Sequence, residues 1–116
     1  METKEKLLTD FAISFIEEHW DEIDLNRTEI TDTKEEFIDR LKSDYSFAEW
    51  IIQEVMVWGC RDSNDNRIDY LQKYEIPNLD AFTVWKIDNR YFAIDFKNNY
   101  SFKEVFPKET TVIYFE

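Results

Sequence analysis

The 116 residues include one glycine, two prolines, one cysteine and one histidine, and each scarcity excludes a kind of site. A phosphate-binding loop needs several glycines in a short stretch, so one glycine excludes it. The single cysteine, Cys60, cannot form an internal disulfide. Together with the single histidine, His19, it cannot complete a four-ligand zinc site of nitrogen and sulfur. So little glycine and proline also leaves little room for a flexible linker.

The sequence also lacks a long apolar segment and has few basic residues relative to its acids. No stretch approaches the length of a membrane span, and the N-terminus lacks the basic and apolar regions of a signal peptide. A lone thiol fits a reducing compartment, so we expect a soluble cytoplasmic protein. Acids outnumber bases 26 to 14, and the net charge of −12 disfavours direct binding to nucleic acid or an anionic membrane.

Apolar and aromatic residues are plentiful, at 43% and 17% of the chain. A chain of this length can bury about two-thirds of its unfolded surface, so we expect one domain over residues 1–116. Helical periodicity dominates residues 1–76, and alternating, β-branched and aromatic residues dominate residues 80–116. The sequence therefore predicts an α+β fold in which three to four N-terminal helices pack on a C-terminal three-stranded antiparallel sheet.

Four helices are predicted from apolar spacing and capping signals. The first covers residues 3–23, and the second begins at the capping box formed by Thr33 and Glu36 and runs to about Asp44. A second capping box at Ser46 and Glu49 predicts a buried third helix that ends at Gly59. A short fourth helix is predicted over residues 68–74, because Pro77 prevents its continuation.

Three strands are predicted after Pro77. Residues 83–87 and 91–96 form a hairpin around Asp88-Asn89, which places Trp85 opposite Phe92. Residues 110–115 form the third strand. Between these strands lies a loop with Tyr100, Phe102 and Phe106, whose aromatic rings belong either to the core or to an interface.

No residue pattern predicts catalysis, a cofactor or a metal. Residues 62–66 resemble the start of a calcium loop, but Arg67 and Lys73 replace its turn glycine and its bidentate glutamate. We therefore expect a polar connection with Asx turns. His19 is expected at the helix boundary and Cys60 as a small buried side chain, so no nucleophile with an adjacent base is apparent. The protein is predicted not to be an enzyme.

The remaining feature is a concentration of ten carboxylates between Glu17 and Asp39 against two bases, Arg27 and Lys34. Helix capping explains the acids at the start of the second helix. Glu17, Glu18, Asp21 and Glu22 instead occupy the end of the predicted first helix, where the helix dipole and like-charge pairs disfavour them. Such a cost in helix stability suggests that these four residues have a role outside the fold.

We therefore predict that this acidic segment binds a basic, nucleic-acid-handling protein by imitating the phosphates of DNA. The predicted partner-binding residues are Glu17, Glu18, Asp21, Glu22, Asp24, Glu29, Glu36 and Asp39. Two alternatives remain open, an immunity protein that neutralises a nuclease toxin and an acidic adaptor in a larger assembly. The oligomeric state, monomer or homodimer, also remains open.

In size, charge, lone cysteine and α-then-β layout, the chain resembles small acidic phage-encoded inhibitors of the anti-CRISPR and anti-restriction type. Its hairpin over residues 84–95, VWKIDNRYFAID, also resembles hairpins of small phage proteins of low-GC bacteria. The resemblance implies an inhibitor of a host defence nuclease that acts in the host cytoplasm. The resemblance does not identify any functional residue in this chain.

Overall fold

The computed structural model describes residues 2–80, 82–108 and 114–115. The chain forms two compact units, Met1–Tyr70 and Leu71–Glu116. The first unit is mainly helical and the second contains an antiparallel sheet of four strands, which confirms the α+β class. The number and bounds of the elements differ from the prediction, while the single-domain organisation stays a prediction.

The first helix, α1 (Lys4–His19), is shorter than predicted. Thr3 caps its start by accepting a hydrogen bond from the Lys6 amide. After His19 the chain makes one 3₁₀ turn, Trp20–Glu22, and then becomes extended at Ile23. The prediction of a helix to residue 23 is wrong because Ile23 pairs with Cys60, and this tertiary contact is invisible to helical periodicity.

Two further helices follow, α2 (Leu25–Thr28) and α3 (Lys34–Ser43). The predicted capping box at the start of α3 is confirmed. The Thr33 hydroxyl accepts from the Glu36 amide, and the Glu36 carboxylate accepts from the Thr33 amide. Both partners are local in sequence, which explains why this helix start could be predicted.

The third predicted helix consists of α4 (Tyr45–Trp50), a π-helical turn (Ile51–Val55) and α5 (Met56–Trp58). Its predicted burial is confirmed for Ile51, Ile52, Val55 and Met56. The predicted capping box at Ser46 is wrong. Asp44 caps the helix by accepting from the Ser46 amide, and Glu49 is buried instead of reaching back to the cap.

The predicted fourth helix is also wrong. Strand β1 (Cys60–Arg61) pairs antiparallel with β2 (Arg67–Ile68), and only Gln72–Tyr74 forms a 3₁₀ turn. In the connection between the strands, an oxygen of Asp62 accepts hydrogen bonds from the amides of Asn64 and Asn66. These are the expected Asx contacts, although they join two strands and not two helices.

The sheet of the second unit has the order β3–β4–β5–β6. Its strands are β3 (Glu75–Ile76), β4 (Val84–Ile87), β5 (Arg90–Asp95) and β6 (Ser101–Val105). The predicted hairpin is confirmed, with Trp85 opposite Phe92. Asp88 and Asn89 adopt positive φ angles of 51° and 65°, as a two-residue turn requires.

Residues 101–105 were expected in a loop, and this expectation is wrong because they form β6. Phe102 is fully buried opposite Ile94, which places it in the core. Of the predicted third strand, residues 110–113 lie outside the described residues. Tyr114–Phe115 forms a short strand, β8, that pairs with β7 (Pro107–Lys108).

Candidate functional site

Three predicted partner-binding carboxylates, Glu17, Glu18 and Asp21, are exposed at the end of α1 and in the following turn. We call these three residues the acidic surface. Glu18 lies 3.5 Å from Nε2 of His19, whereas Glu17 and Asp21 form no ion pair within the part of the chain that the structure describes. Their negative charge is therefore available to a partner.

Glu22, the fourth member of the predicted patch, has an internal role. Tyr70 donates its hydroxyl hydrogen to Oε2 of Glu22 (2.7 Å), and Nδ1 of His19 lies 2.7 Å from Oε1. The bond from Tyr70, followed by that from His19, lowers the pKa of Glu22. Both carboxylate oxygens are thus engaged within the fold.

The acidic residues of this segment cost less helix stability than a longer helix would imply, because α1 ends at His19. Asp21 and Glu22 lie beyond the helix, so they do not form the regular i,i+4 pairs with Glu17 and Glu18 that a longer helix implied. The helix end also has basic neighbours. His19 lies in the last turn, and Nζ of Lys34 donates to the main-chain oxygen of Glu17 (3.3 Å).

The other four predicted binding residues differ in what they do. Asp24 caps α2 by accepting from the Arg27 amide, and Glu36 belongs to the capping box of α3. Glu29 is exposed and ends α2 in the left-handed conformation, with φ of 59°. Asp39 is exposed on α3. Two of the four therefore have structural roles, and the other two present their carboxylates to solvent.

The acidic character is concentrated in one unit. Residues 1–70 contain 19 acids and 8 bases, a charge of −11, and residues 71–116 contain 7 acids and 6 bases, a charge of −1. The contact between Lys34 and Glu17 also brings the first turn of α3, with exposed Glu35 and Glu36, near the acidic surface. The first unit is consequently the strongly negative part of the molecule.

Sequence reasoning missed a cluster around His19. The rings of Phe15, His19 and Tyr70 are in mutual contact, with a centroid separation of 4.3 Å between His19 and Tyr70. Burial raises the pKa of the neighbouring Cys60 thiol to about 12, so the thiol stays protonated near neutral pH. Tyr70 is 51 residues from His19 in the sequence, and no local signal connects them.

Among the described residues, no helix is long and apolar enough to cross a membrane, and no three His, Cys, Asp or Glu side chains are arranged to hold a metal ion. A scan against protein-family models and searches of curated proteins and solved structures found no match.

Proposed function

We propose that this chain is a non-enzymatic acidic protein that binds and inhibits a basic, nucleic-acid-handling protein. One observation carries the proposal. A charge of −11 is concentrated on residues 1–70, and Glu17, Glu18 and Asp21 are exposed there although the fold makes little use of their charge. A local excess of negative charge attracts a surface of lysine and arginine.

The carboxylates would act in place of nucleic-acid phosphates. A protein channel that binds DNA or RNA through several phosphates carries a matching series of basic side chains. Carboxylates held on a helix end and the following turn would occupy such a channel and block its nucleic acid. Long-range attraction would speed association, and close pairing of charges would slow dissociation.

The decisive experiment is charge reversal that spares the internal contacts. The variant Glu17→Lys/Glu18→Lys/Asp21→Lys retains Glu22 and its hydrogen bonds to Tyr70 and His19. We expect folding to be preserved, and partner binding to weaken by more than about tenfold because attraction becomes repulsion. The partner would be captured from host lysate on the wild-type chain, purified, and measured by calorimetry against both proteins.

A matched control separates the position of the charges from the net charge. Glu2, Glu5 and Glu75 are exposed elsewhere, and their replacement by Lys gives the same net charge. This control should retain most of the affinity. The proposal is wrong if the two triple variants bind equally well, if the captured protein does not bind nucleic acid, or if it keeps its nucleic acid when the chain is added.

A further inference from the structure

The second unit contains a groove lined mainly by aromatic and apolar side chains, in contrast to the carboxylates of the acidic surface. Phe82, Ile94 and Phe96 line two adjoining cavities of about 180 and 270 Å³. Trp85 contributes to the smaller cavity. We call this region, defined by Phe82, Ile94 and Phe96, the aromatic groove. All of its lining residues belong to the second unit, whereas the acidic surface belongs to the first.

Large aromatic side chains are exposed in this groove and beside it. Phe96 is 68% exposed and Tyr100 is 60% exposed, and their rings meet edge to face at a centroid distance of 5.6 Å. Leaving a phenylalanine ring in water forgoes about 1.5–3 kcal/mol of burial free energy. An exposed group of such rings next to a groove is typical of a binding surface.

The openness of the groove favours a protein side chain over a metabolite. A small-molecule site buries most of its ligand, whereas Phe96 in the lining of this groove is 68% exposed. The larger cavity, about 270 Å³, has room for one large apolar side chain. A residue that anchors an interface in this way contributes much of the binding free energy.

Two lysines at the groove determine which charge a bound segment should carry. Lys97 and Lys103 line the larger cavity and are exposed. Within the described ranges neither lysine forms an ion pair, whereas the nearby Glu104 is already paired with Arg90 at 2.7 Å. Asp95 also lines the cavity, but one of its oxygens accepts a hydrogen bond from the Lys97 amide. The edge of the groove therefore carries the two lysine charges against the one negative charge of Asp95, which leaves it net positive.

We propose that the aromatic groove is a second protein-binding site, which accepts a large apolar side chain from a partner segment that carries carboxylates on both sides of it. The apolar side chain enters the cavity against Phe82, Ile94 and Phe96, and the carboxylates pair with Lys97 and Lys103. This chemistry is opposite to that of the acidic surface. A chain with both sites would connect a basic protein to an acidic one.

Three acetylated, amidated pentapeptides test the proposal by titration into the ¹⁵N-labelled full chain. The first has phenylalanine between pairs of aspartates, the second replaces its phenylalanine by alanine, and the third replaces its aspartates by lysines. We expect the first peptide to shift the amide signals of residues 82–85, 94–97 and 103 saturably. The other two should bind the groove at least about tenfold more weakly, because one lacks the anchor and the other repels the lysines.

The variants Lys103→Glu and Lys86→Glu change the net charge equally, and only Lys103 lines the groove. Lys103→Glu should weaken binding of the first peptide severalfold, while Lys86→Glu should leave it nearly unchanged. The proposal is overturned if the two variants lose equal affinity, if the alanine peptide binds as well, or if no groove signal moves. It is equally overturned if the groove signals shift with protein concentration alone, because a second copy of the chain would then occupy the groove.

Discussion

Glu22 shows how one carboxylate in an acidic segment can serve the fold. Its two oxygens contact His19, at the end of α1, and Tyr70, just after the β1–β2 hairpin. Tyr70 is fixed in turn by its amide, which donates to the main-chain oxygen of Met56 (2.7 Å). Glu22 therefore connects segments that are distant in the sequence, and we assign it a structural role.

At this scale we predict that Tyr70→Phe destabilises the protein by about 1 kcal/mol, because a hydrogen bond to a charged group is lost at a partly exposed site. Urea denaturation of the wild type and the variant would measure the difference.

The dependence on pH gives a sharper measurement of the same contact. The pKa of Glu22 is lowered from its ordinary value of 4.5, so the stabilisation is fully present above that value and disappears as the pH falls through the lower folded-state pKa. In Tyr70→Phe the largest cause of the lowering is absent. The difference in unfolding free energy between the two proteins should therefore shrink from about pH 6 to about pH 3. If the difference in unfolding free energy stays constant with pH, Glu22 is not the source of the stabilisation.

At the scale of elements, the single glycine determines how two segments approach. Gly59 follows α5, and its main-chain oxygen accepts from the Asp24 amide (2.8 Å). A Cβ at this position would lie 2.7 Å from Cγ2 of Thr28 and 3.0 Å from the Val55 main chain. Gly59 has φ of −90°, which other residues can also adopt. Glycine is therefore required here by the close packing against α2 and not by a left-handed backbone conformation.

We predict that Gly59→Ala destabilises the protein by about 1–3 kcal/mol, because the added methyl group overpacks this contact. The double variant Gly59→Ala/Thr28→Ser should recover part of the loss, since serine lacks Cγ2 and keeps the hydroxyl that donates to Asp24. Thermal unfolding of both variants and of Thr28→Ser alone would measure the coupling. Additive effects would contradict the assigned clash.

Elements defined by neighbouring residues were the predictable ones. The α3 capping box and the β4–β5 hairpin depend on side chains and turn residues a few positions apart, and both are confirmed. The start of α4 differs from the prediction because Asp44 and Ser46 are both acceptable caps, and in the fold the Asp44 carboxylate accepts from the Ser46 amide while Glu49 is buried. Strand β6 was not predicted because the charged pair Lys103 and Glu104 interrupts the apolar alternation that marks a strand, although Asn98 and Asn99 before it are turn residues.

At the scale of the whole molecule, the negative charge is concentrated in the first of the two units. If the −11 charge of residues 1–70 attracts the partner, affinity should fall by about tenfold or more between about 50 and about 200 mM salt. Calorimetric titrations at several salt concentrations with the captured partner would measure the slope. The triple lysine variant of the acidic surface should have a flatter slope, and a flat wild-type profile would contradict electrostatic recognition.

The sequence alone determined the α-then-β order, the apolar core segments, the hairpin register and the location of the acidic segment, because these follow from composition and short-range spacing. Tertiary structure decided which acids remain available. Glu17, Glu18 and Asp21 stay exposed, while Glu22 is engaged by a tyrosine far along the chain. It also separated Phe102, in the core, from Phe96 and Tyr100 at the surface. The reason is that burial and hydrogen-bond partners depend on chain segments that meet only after folding.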